Sequence, residues 1–261
     1  FEEQVLLLFA EDGSFSQHSV SYHRFALQTV TWAQVVTEAR GGSLSARVRE
    51  RAAAAVRWLA ALVDEESGEA PRYGQWDSGV LHRLSGCAHG DMRPAVQSAG
   101  VVFQGSRAFA SGLWDEEVLW LRGPAALQEP LATERAGELA ARDGGFYSIR
   151  SCRGLAFSRC APRFRFRPSQ ADLLHTDVWW RGANVALDPG TYSYSEAPPW
   201  DNAFARTRFH NTVTVDDRDQ MDRVGRFLWA PWPRGRTASP QRSRAGLLSV
   251  WEGEHDGYTR L

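Results

Sequence analysis

The chain has 261 residues, of which 43% are hydrophobic and 23% charged, with a formal net charge of −1. This length suffices for one large or two modest domains with packed cores, and the composition excludes a disordered or fibrous protein. The balanced charge creates no overall electrostatic field that would attract nucleic acid or an anionic membrane. No apolar run reaches the ~20 residues that a membrane-spanning helix requires.

Residues 1–130 have the pattern of successive amphipathic helices. In 25–39 apolar residues recur at three- and four-residue spacings, and 46–66 is rich in Ala, Leu and Arg without an internal Gly or Pro. Further helices are predicted at 92–105 and around 114–121. Helices joined by compact loops favour an α/α array, either a bundle or a toroid.

After about residue 143 the pattern changes to short aromatic and β-branched runs separated by Gly, Pro, Asn and Asp. Strands are predicted at 144–151, 155–162, 173–182, 184–194, 210–217 and 246–254. This pattern favours an antiparallel sandwich over βαβ units. We therefore expect an α+β chain with a helical domain at 1–130 and a β-sandwich at 131–261, divided within the stretch 125–143. Because the chain begins in a helix-like run and ends in a strand-like run, we expect a fragment truncated at both ends.

The three cysteines are too few for a disulfide framework and lack the spacing of metal ligands. Cys152 and Cys160 could face each other across a hairpin. Buried free thiols are the expectation for these two and for Cys87.

The segment 12–28 is dense in polar side chains. A helix is predicted to begin around Ser19 to Tyr22, with Tyr22, His23 and Arg24 near its N-terminal end. His18 would share a face with Tyr22 if the helix extended back that far. By itself, a Tyr-His-Arg run is also compatible with a core tyrosine and two solvated basic residues.

Two later segments, 170–194 and 200–220, are similarly rich in polar residues. His210 and Asn211 open a predicted alternating strand, and Asp188 begins the Asp-Pro-Gly turn that ends another. Strand starts and ends are where a sandwich presents side chains to a cleft. Asp188 alone would be an ordinary turn aspartate, and a lone histidine is more often structural than catalytic.

Four blocks together resemble the heparinase II/III-like polysaccharide lyases: DGSFSQHSVSYHR, WDEEVLWL, the segment from Gln170 through LDPGTYSY, and FHNTVTVDDRDQM followed by GRFLWAPW. The resemblance covers nearly the whole chain. It implies an N-terminal α/α toroid, a C-terminal β-sandwich and a substrate cleft between them. It also implies β-elimination on a polysaccharide that contains uronic acid.

Such an elimination needs one group to neutralise the uronate carboxylate, one to take the C5 proton and one to protonate the leaving oxygen. The resemblance assigns acid chemistry, and possibly base chemistry, to Tyr22. A tyrosine with its ordinary pKa of ~10 acts as a base at neutral pH only beside positive charge. His23, Arg24 or His210 could supply that charge.

An acidic polysaccharide is thus the expected partner, without nucleic acid or a membrane span, and with the oligomeric state open. Periplasmic or extracellular localisation follows by analogy with bacterial polysaccharide lyases. Arginine side chains could pair with substrate carboxylates, and a tryptophan near a turn could stack on a sugar. The expected substrate-binding residues are Gln17, His18, Trp200, Arg206, Arg208 and Asn211.

Several family members bind structural zinc through a His, the Asp of the Asp-Pro-Gly turn and the His of His-Asn-Thr, which implies Asp188 and His210 here. The first ligand is expected at Gln170, a poor zinc ligand, which leaves zinc binding in doubt. Asp172 is a possible substitute. His175 is close in sequence, but in a strand alternating from Gln170 it would point to the opposite face.

Two further departures concern catalysis. A histidine that contributes in some members is replaced by Pro168. The remaining catalytic residues of the family, an Asn or His on an earlier helix, would precede Phe1. The fragment alone is therefore expected to have little activity.

Two other functions stay open. A glycoside hydrolase on the same scaffold would use paired carboxylates such as Glu116 with Asp77 or Asp91, separated by ~5 to ~9.5 Å. A non-catalytic polysaccharide-binding protein with a degenerate site is favoured modestly by Gln170 and Pro168.

Overall fold

The computed structural model of the chain describes residues 1–77, 79–133, 138–238, 240–243 and 248–261. Within these ranges the first half of the chain is helical, as predicted. The α-helices are α1 (Glu2–Leu8), α2 (Val20–Ala39), α3 (Ala46–Leu62), α4 (Arg93–Gln104) and α5 (Asp115–Arg122). Single 3-10 turns occur at Pro124–Gln128, Ala203–Ala205 and Thr207–Phe209.

Local signals in the sequence account for several helix ends. The Ser19 side chain accepts a hydrogen bond from the Tyr22 backbone N–H at 3.2 Å and so caps α2. Pro94 lies in the first turn of α4, and Gly105 ends this helix with a left-handed φ of 63°. Helix α2 packs against α3 and α4, and α4 packs against α5.

The strands form antiparallel sheets, which confirms the expected α+β class. The main sheet is a meander of β1 (Glu138–Ala141), β2 (Phe146–Arg150), β3 (Gly154–Arg159), β4 (Thr176–Trp180) and β5 (Ala183–Ala186). Three two-stranded ladders follow, and they pair β6 (Asp222–Gly225) with β7 (Leu228–Ala230), β8 (Gly235–Thr237) with β11 (Gly253–His255), and β9 (Gln241–Arg242) with β10 (Ser249–Val250).

The strand predicted at 210–217 is wrong. Apart from an isolated bridge between Val215 and Arg218, this segment pairs with no strand in the described part of the chain. Asp216 and Asp217 have φ values of 50° and 54°, which an extended strand cannot contain. The alternation of Val and Thr therefore reflects an exposed loop, in which Val213 is 69% exposed.

Two other sequence predictions fall partly outside the described residues. Of the strand predicted at 246–254, residues 246 and 247 lie outside them, and the rest contains β10 and the start of β11. Residues 134–137 of the boundary stretch also lie outside, so the division at residue 130 stays a prediction. No helix among the described residues is long and apolar enough to cross a membrane.

All three cysteines are free. Cys87 and Cys160 are buried, as expected for free thiols. Cys152 is instead exposed in the turn between β2 and β3, so it does not face Cys160 across the hairpin.

The largest of the apolar clusters in the described residues joins the helices to the first sheet. Its members include residues of α2, α3 and α4 together with Leu139, Phe146 and Phe157 of the sheet. The Trp58 ring of α3 meets the Phe146 ring edge-on, with centroids 5.0 Å apart. Helix α3 is therefore packed directly against the sheet, and both parts bury apolar surface in the same cluster.

The segment 73–77, which we call the connecting segment, binds the start of α2 through its main chain. The backbone N–H of Val20 donates to the Tyr73 carbonyl at 3.1 Å. The Ser19 hydroxyl donates to the Gln75 carbonyl at 2.6 Å. These bonds fix the first turn of α2 against the connecting segment.

The same segment also binds the C-terminal half of the chain. The Gln170 side chain donates to the Gly74 carbonyl at 3.3 Å, and the Trp76 backbone N–H donates to the Thr191 hydroxyl at 3.0 Å. The connecting segment therefore holds α2 and the region around Asp188 in a fixed relation.

We expect Gly74→Ala to destabilise the protein more than Gly41→Ala. Gly74 has a φ of +81°, and a Cβ there would lie 2.2 Å from the His18 carbonyl oxygen. Gly41 has a similar φ of +78° but no atom within 4 Å, so its substitution costs only the backbone strain of about 1–3 kcal/mol. Urea unfolding of both variants measures the difference, and equal losses would contradict the close approach at Gly74.

Candidate functional site

Three buried side chains with metal-binding atoms converge in the C-terminal half. The ligand atoms of His175, Asp188 and His210 all lie within 4.8 Å of one another. His210 Nδ1 is 3.2 Å from Asp188 Oδ2, and His175 Nε2 is 3.7 Å from the same oxygen. Among the described residues, Nε2 of each histidine has no hydrogen-bond partner. Two imidazoles and a carboxylate are a donor set that zinc binds.

The local backbone explains why these side chains meet. Asp188 Oδ1 accepts a hydrogen bond from the Gly190 N–H at 2.8 Å, which leaves Oδ2 to face the histidines. Burial lowers the pKa of His210, but the Asp188 carboxylate beside it raises this pKa by more, so the net shift is upward. The His210–Asp188 pair therefore favours an imidazolium when no cation is bound.

His175 lies on the cluster side, contrary to the orientation predicted from strand alternation. Strand β4 begins only at Thr176, and Leu174 has a left-handed φ of 63°, so residues 170–175 are not an alternating strand. The residue that the sequence placed as the first ligand, Gln170, instead binds the connecting segment. The possible substitute, Asp172, forms a buried ion pair with Arg159 at 3.4 Å. The sequence analysis named His175 but placed it on the opposite face, because it assumed an alternating strand from Gln170.

A second group of polar side chains surrounds Tyr22. The Tyr22 hydroxyl donates to Asp77 Oδ2 at 2.7 Å, and the Tyr194 hydroxyl donates to the same oxygen at 3.1 Å. Tyr22 lies in the first turn of α2, Asp77 ends the connecting segment and Tyr194 follows the Asp-Pro-Gly turn. Burial first, and then Asp77, raise the pKa of Tyr22 to about 12 and raise that of Tyr194 as well. Both hydroxyls are therefore protonated at neutral pH.

The structure does not bring His23 to the Tyr22 hydroxyl. The His23 ring is buried and stacks on Trp58 with centroids 4.3 Å apart, and its Nε2 lies 3.0 Å from the Ala55 carbonyl. Burial lowers the pKa of His23 to about 3. A neutral core histidine cannot supply the positive charge expected of it.

Arg24 binds main-chain carbonyls. Its guanidinium donates to the carbonyls of His89 at 2.7 Å and Gly79 at 3.1 Å. It thereby holds the loop that follows the connecting segment. This placement argues for a structural role in place of the catalytic one expected from the sequence.

His18 precedes α2 and does not share a face with Tyr22. Its φ is 54°, its ring packs against Phe146 and Phe164, and neither ring nitrogen has a hydrogen-bond partner. Burial lowers its pKa well below the ordinary value. The neighbouring Gln17 side chain donates to the Gln75 side chain at 3.3 Å. His18 is thus a buried residue, whereas Gln17 extends the contacts of the connecting segment.

The remaining expected substrate contacts divide into two kinds. Asn211 donates to the carbonyls of Thr176 and Leu187 and is therefore used structurally. The Arg206 Nε donates to Asp219 at 3.0 Å. Arg208 is exposed, and its guanidinium lies over the Phe209 ring at 5.2 Å. Arg208 is thus the more available of the two arginines.

Trp200 belongs to a group of neighbouring rings that we call the aromatic platform (Tyr192, Trp200 and Phe204). The ring centroids of these three residues are 6.1 to 6.4 Å apart. Tyr192 is 66% exposed and Trp200 is 49% exposed. Tyr192 is two residues from Tyr194, whose hydroxyl donates to the same Asp77 oxygen as Tyr22. Exposed aromatic faces of this kind can stack on sugar rings.

The carboxylates considered for a hydrolase have separate partners. Asp91 pairs with Arg93 at 2.7 Å, and the exposed Glu116 accepts the Gly86 N–H at 2.7 Å. Asp77 is bound by two tyrosines. Asp91 and Glu116 thus hold local structure and are not paired with Asp77.

A buried carboxyl group anchors the loop that follows Asp77. Glu117 accepts hydrogen bonds from the Ser98 hydroxyl at 2.7 Å and the Gln28 side chain at 3.3 Å. Gln28 also accepts the Leu81 N–H, which ties this loop to α2. Burial raises the pKa of Glu117 to about 7.

We expect Glu117→Gln to change how stability depends on pH. Because the pKa of Glu117 is raised in the folded state, its protonation stabilises the protein below the unfolded pKa, and this contribution is lost as pH rises towards 7. The variant lacks this loss, so its stability relative to the native protein should improve between about pH 5 and about pH 8. Urea unfolding at both pH values, with the exposed neighbour Glu116→Gln as control, measures the effect. A constant difference would contradict it.

Comparison with known structures identifies the class of fold. The chain is similar to a heparan sulfate lyase HepC mutant from Pedobacter heparinus (TM-score 0.71, 17% identity, 98% of this chain and 36% of that one). It is also similar to two heparinase III structures, with TM-scores of 0.73 and 0.65, identities of 15% and 13%, 98% coverage of this chain, and 36% and 40% coverage of theirs. It therefore has the fold of this class of polysaccharide lyases and spans about a third of the length of these structures.

The family follows from the C-terminal half. Residues 133–261 match the family described as Heparinase II/III-like, C-terminal. Residues 133–261 belong to this heparinase II/III-like family. No curated protein is matched by the chain.

Proposed function

We propose that the protein cleaves a uronic-acid-containing polysaccharide by β-elimination, with Tyr22 as a proton-transferring group. The observation that carries the proposal is the Tyr22 hydroxyl, held at the junction between the helices and the C-terminal half in a half-buried position. Membership of a family of lyase type supports the reaction class. The structural neighbours named as heparan sulfate lyases support an acidic substrate.

The chemistry of Tyr22 suits the acid role first. With its pKa raised to about 12, the hydroxyl carries a proton at neutral pH that it can donate to the leaving glycosidic oxygen. Its bond to Asp77 is open to solvent, so a sugar chain can approach the hydroxyl. In this proposal the Tyr22 hydroxyl is the proton donor to the leaving oxygen.

Arg208 and the aromatic platform are the proposed substrate contacts. No carboxylate in the described part of the chain pairs with Arg208, which leaves its guanidinium available for a uronate carboxylate. Tyr192 and Trp200 are exposed, and Phe204 of the platform lies 5.1 Å, between ring centroids, from Phe209, the ring that Arg208 covers. A surface whose aromatic rings can stack on sugars and whose guanidinium can pair with carboxylates suits an acidic polysaccharide.

We also propose that His175, Asp188 and His210 hold a zinc ion, which would stabilise the loops that carry Tyr194 and the platform. The donor set and the unpartnered Nε2 atoms support this. One contact must change. The Asn211 N–H donates to His175 Nδ1 at 3.1 Å, which puts the ring proton on Nε2. A neutral imidazole that binds zinc through Nε2 carries its proton on Nδ1, so the Asn211 N–H would have to move away from Nδ1.

Localisation in the periplasm or outside the cell is proposed on the same basis, since acidic polysaccharides are found there. A glycan-binding protein without turnover is the second candidate. The aromatic platform favours it, because this surface does not depend on proton transfer by Tyr22.

We expect the full-length protein to form an unsaturated product, detected by its ultraviolet absorbance, from at least one of heparan sulfate, chondroitin, hyaluronan and alginate. Tyr22→Phe should reduce kcat at least about 100-fold, since it removes general acid–base catalysis. Tyr258→Phe is the matched control, because its hydroxyl bonds to the Val213 and Arg218 carbonyls, away from Tyr22. Reducing ends without unsaturation would indicate a hydrolase. Glycan binding without turnover would indicate the binding protein.

We expect metal analysis of the purified protein to find about one zinc per chain, as for a structural His/Asp site. His175→Ala and His210→Ala should both abolish it. His255→Ala, which lies on β11 outside the cluster, should retain it. A chelator should lower the Tm of the native protein but not that of His175→Ala. Full zinc in His175→Ala would contradict the site.

A further inference from the structure

Asp77 is the acceptor of both tyrosine hydroxyls. Its Oδ2 accepts hydrogen bonds from the Tyr22 hydroxyl at 2.7 Å and the Tyr194 hydroxyl at 3.1 Å. The two donors come from opposite halves of the chain, since Tyr22 lies 55 residues before Asp77 and Tyr194 lies 117 residues after it. The contact between Tyr22 and Asp77 is solvent-exposed. An exposed carboxylate gains little stability from such bonds, because water competes for them.

This arrangement conflicts with a phenolate base. A tyrosine base at neutral pH needs positive charge beside it, but the neighbour of the Tyr22 hydroxyl is a carboxylate. His23 is a neutral core residue and Arg24 is bound to the Gly79 and His89 carbonyls. Removal of the C5 proton therefore needs another acceptor in contact with Tyr22.

We propose that Asp77 is a positioning residue that accepts the Tyr22 proton during the elimination, an inference that rests on the proposed lyase function. As the C5–H bond breaks, its proton passes to the Tyr22 oxygen while the Tyr22 hydroxyl proton passes to Asp77 Oδ2. The C5–H electron pair becomes the C4–C5 double bond, and the C4–O pair leaves with the glycosidic oxygen. Tyr22 then protonates that oxygen, and Asp77 returns its proton to Tyr22.

Tyr194 orients the acceptor. By donating to the same oxygen, its hydroxyl fixes the Asp77 carboxylate towards Tyr22. Tyr194 is itself held by its ring contact with Phe227, with centroids 5.2 Å apart. Among the described residues, the titratable group that acts on Tyr22 is Asp77, and those that act on Tyr194 are Asp77 and Tyr22. The relay is therefore a three-residue unit.

The first experiment tests the contact without any turnover. The phenolate absorbance of the full-length protein is titrated with pH in the native and Asp77→Asn backgrounds, and subtraction of the Tyr22→Phe curve in the same background isolates Tyr22. In Asp77→Asn the isolated pKa of Tyr22 should fall, because the amide keeps an acceptor oxygen but removes the negative charge. Glu66→Gln, which removes an exposed charge elsewhere, should leave it unchanged. An unaltered Tyr22 pKa in Asp77→Asn overturns the inference.

The second experiment measures the pH dependence of kcat and KM on the cleaved polysaccharide. Asp77→Asn should lower kcat at neutral pH by about 100-fold or more, with KM little changed. Its remaining activity should rise with pH as Tyr22 ionises, and Asp77→Glu should recover part of the loss. A loss in Asp77→Asn with a native pH profile, or no loss at all, overturns the relay.

The two proposals fail in different ways. An active enzyme that needs Tyr22 but tolerates Asp77→Asn keeps the lyase function and rejects the relay. A full-length protein with no eliminative turnover on the polysaccharide panel rejects the lyase function and the relay with it, even if the tyrosine titration responds to Asp77.

Discussion

The main-chain hydrogen bonds of residues 73–77 are the constraint on which the candidate site depends. The carbonyls of Tyr73 and Gln75 bind the start of α2, and the Gly74 carbonyl binds Gln170. Only glycine allows the close approach at position 74, because its φ is positive and the His18 carbonyl leaves no room for a Cβ. Asp77, the last residue of the same segment, accepts hydrogen bonds from the hydroxyls of Tyr22 and Tyr194.

A buried charge supports this junction from the sheet side. Arg159, 1% exposed, pairs with Asp172 at 3.4 Å and lies over the rings of Phe146 and Phe164. Buried ion pairs often add little net stability, because desolvation offsets their attraction, but loss of either partner leaves an uncompensated charge. The pair therefore specifies how the segment around 170–175 lies on β3.

The sequence located several parts of the site because they depend on local rules. The sequence placed the start of α2 around Ser19 to Tyr22, and Ser19 caps this helix, since a cap acts within one helical turn. The family resemblance, which is not a local rule, implied that Asp188 and His210 act together, and they are in contact at 3.2 Å. His175 was assigned to the wrong face because the alternation rule assumes an extended chain, and the left-handed Leu174 breaks that assumption.

The sequence itself determined the helix positions and the antiparallel class of the strands, because periodicity, capping and turn chemistry are short-range. The interest of Tyr22, Asp188 and His210 came from the resemblance of longer sequence blocks to a family, since their local patterns alone are also compatible with structural roles. Only the tertiary structure decided that His23 is a core residue, that His175 completes the cluster and that Tyr22 and Tyr194 share Asp77. The two tyrosine contacts join Asp77 to residues that are 55 and 117 positions away in the sequence. No local pattern encodes such pairs, because they arise from how separate elements pack.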